Sequence, residues 1–392
     1  MKLARSCFIV LSLFLIFMLI TLSGCGGQSS EADPTIDSNL EQDTGQTTDG
    51  NCSGFETPDN ELTPNPQGDI SYLNLRNRDP DCAAYVGSYH ATVLDQQQGN
   101  ILDSALTVTA TDDVCIFTSN NIPNHDVGAN TTTGGDFASQ VAANVLDYVF
   151  SVPRYPIKTG QATYVERVAG QLTLNGIMLN GVDLDMDSAF CYHPDFTSDN
   201  QIGLGRDQCG LFADWYAIPA ANPGDVVLDE FTGHAFDGRY HYHGDNHGLS
   251  EVAQGDILQA ANLTSESGSP VIGFAPDGFP IYGHYFFDKN SGELRKAKSS
   301  WRTYNDERET AAGATFTAPS IISHPRGMFV EDWYFEQGSG DLDECNGMTD
   351  AYGNYGYYYT EDYPYGPLCS FGVPDPSFIK PSSDYDEGGV NN

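Results

Sequence analysis

Long helical runs are missing from this chain of 392 residues: no extended Ala/Leu/Glu/Lys stretch repeats at helical spacing. That absence, beside 41 Gly and 21 Pro to make turns and 22 Tyr and 21 Phe to fill a core, excludes a helical bundle and favours many short strands. Positive charge is equally scarce, with 17 Lys and Arg against 54 Asp and Glu and a formal net charge of −37. Such a surface repels phosphate backbones and excludes nucleic acid as a partner. Dispersed acids of this kind suit a protein solvated in salt water, with calcium at carboxylate clusters as the second reading. Gly-x-Ser-x-Gly, His-Glu-x-x-His, P-loop and kinase signatures are all absent, which removes the commonest enzyme classes. None of the nine cysteines falls in a C-x-x-C pair, so a thiolate zinc site is disfavoured.

What is present begins with a targeting segment. Lys2 and Arg5 precede an apolar run from Phe8 to Leu22, too short for a spanning helix, and Leu22-Ser23-Gly24-Cys25 resembles a lipobox. Residues 1–24 are expected to be a lipoprotein signal peptide and Cys25 the lipidation site. Acylation there would hold the protein to the membrane of a bacterial cell envelope, facing periplasm or exterior. Residues 25–66 are polar and are expected to form a disordered tether. Residues 67–376 should then be one β-rich domain or two packed subdomains, and 377–392 a flexible acidic tail. The fold class expected is mainly β with a few short helices, a sandwich-like domain behind the tether.

Seven cysteines remain after Cys7 and Cys25, and an exported protein would form disulfides. Cys191 with Cys209 and Cys345 with Cys369 are near enough in sequence to pair. Cys52 is a candidate to tie the tether to Cys82, and Cys115, in an apolar run, is the candidate odd thiol. Within the body, Leu106–Ala110 and Asp113–Thr118 read as strands, and Asn175-Gly176 as a hairpin turn. Asp183–Ser188 begins like a calcium loop but lacks the sixth-position Gly, so a solvated loop is expected. Ser250–Asn262 is the best helix candidate. Pro276-Asp277-Gly278 reads as a turn between two strands.

Four of the nine histidines fall between 234 and 247. In Arg239-Tyr240-His241-Tyr242-His243 a strand would turn His241 and His243 to one face and both tyrosines to the other, with Gly238 and Gly244 as its bounds. Two neutral imidazoles at i, i+2 present adjacent ring nitrogens to a cation. His234 or His247 would supply a third ligand, and His125 or Asp277 a fourth. An imidazole-rich set suits zinc, copper or nickel, and an open coordination position would allow metal-dependent hydrolysis. The competing reading is a glycan- or peptide-binding module whose histidines only hold a core hydrogen-bond network.

Tyr240-His241-Tyr242-His243-Gly244, preceded by Gly233-His234, resembles the signature of the YHYH-motif family of secreted and envelope proteins. Blocks at Ile272–Gly283, Phe329–Tyr334 and Gly340–Gly347 follow in the family's order, and Ser119–His125 resembles its early block. The resemblance spans roughly residues 80 to 376. It implies the domain, and no assigned biochemistry comes with it.

Overall fold

Alternation of apolar and polar residues sets the first sheet. Strands β1 (Gly87–Asp95), β2 (Asn100–Ala110), β3 (Val114–Ser119) and β4 (Tyr148–Pro153) form an antiparallel meander in chain order. In β2 every second residue from Leu102 to Val108 is buried, as a half-buried strand requires. This is a computed structural model, and it describes residues 68–70, 75, 77–96, 98–128, 148–164, 173–186, 190–195, 202–203, 215–222, 228–236, 238–244, 268–310 and 316–380. These residues all fall in the compact unit Glu56–Asn392. The lipobox, the tether, Cys52, Cys209, His247, the Ser250–Asn262 segment and residues 381–392 lie outside them.

The second sheet has eight strands, ordered Gly233–Phe236, Arg239–Tyr242, Asp183–Leu184, Gly176–Met178, Val271–Phe274, Pro280–Tyr282, Tyr355–Tyr358 and Gly347–Thr349. Its central strands are buried throughout, which is why they read as apolar runs rather than alternating ones. Phe117 of the meander and Tyr85 both pack on Phe274 of this sheet, so the two sheets share one core. A satellite core gathers Phe190, Tyr192, Ile202, Trp215, Ala217 and Phe329. The helical elements among the described residues are short 3-10 turns such as Cys82–Tyr85 and Pro376–Phe378, so the fold is mainly β. No helix among the described residues is long and apolar enough to cross a membrane.

Four local expectations are corrected. Asn175-Gly176 is not a turn: Gly176 sits in a strand opposite Leu184, and a Cβ there would stand 2.9 Å from the Phe274 carbonyl oxygen. The turn falls one Asn-Gly pair later, at Asn180-Gly181, where Gly181 has φ 89° and its N–H donates to the Met178 carbonyl. Cys115 is not a free thiol. It is bonded to Cys82, which therefore does not pair with Cys52. Cys345–Cys369 forms as expected, and Cys191 is disulfide-bonded to a partner outside the described residues. Asp183–Leu184 is a central strand rather than a solvated loop, because Val182, Leu184 and their neighbours bury it.

Candidate metal centre

The site grows from one hairpin. Gly233–Phe236 and Arg239–Tyr242 pair antiparallel, with Phe236 opposite Arg239, and Gly238 takes φ 84° just before the second strand. This register sets His234 directly across from His241. His243 follows His241 on the same face, and its N–H continues the ladder to the Thr232 carbonyl at 2.9 Å. One histidine pair thus forms across the strands and another along one strand.

Asp229 fixes the entry to the hairpin. Its Oδ1 accepts from the N–H groups of Phe231 and Gly233 at 2.9 and 3.1 Å, and its Oδ2 from the Tyr240 hydroxyl at 2.7 Å. Gly233 has no substitute there, since a Cβ would stand 2.3 Å from the Tyr240 hydroxyl oxygen.

The three ring nitrogens converge. The Nε2 atoms of His234 and His241 are 3.1 Å apart, those of His241 and His243 3.0 Å, and those of His243 and His234 3.1 Å. All three side chains are buried, each about 6 % exposed. Burial, reinforced by the neighbouring imidazoles, pushes His241 well below its ordinary pKa and His243 down to about 3. His241 Nδ1 faces the Arg239 carbonyl oxygen at 3.3 Å, which places its ring proton there and leaves Nε2 as an acceptor. Each neutral imidazole carries one proton, so protons cannot satisfy all three contacts of the triangle.

The other expected ligands are elsewhere. His125 lies on the tyrosine side of the motif strand, stacked on Phe231 at 3.6 Å between centroids. Its Nδ1–H donates to the Asp126 carbonyl at 2.8 Å, and its Nε2 accepts from the Tyr242 hydroxyl at 2.5 Å. Tyr242 in turn accepts from Asn180 Nδ2 at 2.9 Å. Both ring nitrogens of His125 are therefore engaged, and burial lowers its pKa to about 4. Asp277 is buried at its turn. It accepts from the Tyr357 hydroxyl at 2.6 Å and from the Gly372 N–H at 2.8 Å, so it pins the turn rather than joining the triangle. His247 lies outside the described residues.

Sequence reading missed the carboxylates beside the site. Asp183 pairs with His241 in a parallel ladder and is buried, as is Asp185. The signal was there in the period-2 pattern of Val182-Asp183-Leu184-Asp185-Met186, which sets both acids on one face of a strand.

The chain matches the YHYH protein family over residues 149–372, more than half its length, and belongs to that family. The hairpin and all three histidines fall inside the matched span, whereas the Ser119–His125 segment precedes it. No curated protein matches the chain, and no solved structure matches it.

Proposed function

We propose that this protein is an envelope protein, anchored through Cys25, that binds a transition metal ion through His234, His241 and His243. The observation that carries the reading is the triangle of Nε2 atoms at 3.0–3.1 Å. The three Nε2 atoms stand close enough together for His234, His241 and His243 to hold one cation at the usual imidazole–metal distance of about 2.1 Å, and any remaining coordination positions would be left to water or a small ligand. Imidazole without thiolate or thioether suits zinc or divalent copper or nickel and disfavours cuprous ion. Depressed pKa values keep His241 and His243 neutral at pH 7, as metal binding requires.

The test is elemental analysis of soluble protein starting after Cys25 and folded in an oxidising compartment. The reading expects close to one equivalent of zinc, copper or nickel, lost in a His241→Ala/His243→Ala variant. Metal-free protein that gains no metal on incubation with each ion would sink it, and would favour a binding module with structural histidines.

A further inference from the structure

The histidines share their sheet face with charges the triangle does not use. Asp183 lies beside His241 in the parallel pairing, so Asp185, two residues on, projects from the same face beside His243. Arg239 faces both carboxylates, and Lys380 faces Asp185 alone. Arg239 Nη2 is 2.7 Å from Asp183 and 3.5 Å from Asp185. Lys380 Nζ is 2.7 Å from both oxygens of Asp185. Asn121 Nδ2 donates to Asp183 at 2.5 Å.

Lys380 reaches this face from a strap that lies beyond the span matched by the family, which ends at 372. The strap is firmly docked. Phe378 is fully buried against Phe150, its carbonyl accepts from the Leu174 N–H at 2.8 Å, and the Ser377 hydroxyl accepts from the Ser151 N–H at 2.8 Å. Lys380 itself is 9 % exposed. Buried ion pairs add little net stability over apolar packing, so this pair matters more for the field it creates than for holding the strap. The Asp185 N–H donates to the Tyr242 carbonyl at 2.8 Å, so the ion pair is held against the strand that carries His241 and His243.

We infer that the Asp185–Lys380 ion pair sets how tightly the histidine triangle holds its cation. This rests on the metal reading above. Asp185 supplies the negative charge that attracts a divalent ion onto neutral ligands, and Lys380 cancels most of that attraction. Lys380 therefore acts as an affinity-lowering residue contributed from outside the family's matched span, and Asp185 as its target.

The test is a Zn²⁺ titration against a chromophoric chelator for the wild type, K380M, K380R and D185N. Co²⁺ absorption spectra are recorded in parallel to report the ligand set. K380M should bind Zn²⁺ at least about tenfold more tightly, K380R should match the wild type, and D185N should bind at least about tenfold more weakly. The Co²⁺ bands should not move, because the three histidines remain the ligands. K380M with wild-type or weaker affinity overturns the inference while leaving the metal site standing, and a wild type that takes no Zn²⁺ overturns both. Should K380M fail to fold, D185N/K380M removes both charges together and must bind within about threefold of the wild type, and a larger change refutes the charge argument.

Discussion

Replacing His241 by alanine separates a metal centre from a hydrogen-bonded core, because the two readings assign the substitution different costs. In the metal reading the apo protein loses one desolvated ring whose Nδ1 contact to the Arg239 carbonyl is long, at 3.3 Å. That loss should cost about 1–2 kcal/mol. The larger effect is on linkage. If Zn²⁺ binds with a Kd of about 1 μM, then about 100 μM free metal adds about 2.7 kcal/mol to the folded state. A domain of about 300 residues unfolds with an entropy of about 0.6 kcal/mol/K, so the metal should raise Tm by about 4 °C. His241→Ala should remove that rise entirely. The assay is differential scanning calorimetry with and without Zn²⁺, Cu²⁺ or Ni²⁺. Ca²⁺ at matched ionic strength serves as the control, because a chain of net charge −37 gathers divalent ions nonspecifically. Equal shifts with Ca²⁺ and Zn²⁺, or a His241→Ala variant that keeps the zinc-specific rise, would refute the reasoning.

His125 provides a pH prediction. Burial lowers its folded pKa to about 4, against about 6.5 unfolded, so protons favour the unfolded chain between those values. The stability it supports is complete above pH 6.5 and is lost as pH falls toward 4, amounting to about 3 kcal/mol. His125→Gln should flatten urea-unfolding stability across that window, and an unchanged slope would exclude it as the source. Asp332 forms a two-point ion pair with buried Arg308, at 2.6 and 2.7 Å. Asp332→Asn strands the guanidinium beside the satellite core and should cost about 3–5 kcal/mol in chemical denaturation; a loss under 1 kcal/mol would mean that water reaches the guanidinium. Tyr357→Phe removes the donor to Asp277 and the acceptor for the Phe371 N–H. It should cost about 1–3 kcal/mol while leaving the zinc stoichiometry untouched, and a loss of zinc would return Asp277 to the site.

Local periodicity made much of this protein legible. Leu106–Ala110 and Asp113–Thr118 announce their strands because one face of each is buried and the other solvated. Cys345 and Cys369 close a modest loop as their separation suggests. Where a segment is buried on both faces the local pattern misleads. Asp183 and Asp185 look like a solvated loop because a sequence does not show that Arg239 and Lys380, 56 and 195 residues away, neutralise them. The choice between two Asn-Gly pairs for one turn was likewise made by packing, since Gly176 lies in a strand against Phe274, while Gly181 takes φ 89° against Ser119 where a Cβ would stand 2.4 Å from its hydroxyl oxygen.

By itself the order of residues determined that His241 and His243 share a face opposite Tyr240 and Tyr242, because side chains alternate at every step of an extended chain. Only the tertiary structure decided that His234 completes the triangle, that His125 and Asp277 do not, and that two carboxylates with their cations stand alongside. Those outcomes depend on strand register and on which distant strand docks next. The burial of the whole sheet sets both, and no short stretch of sequence contains that information.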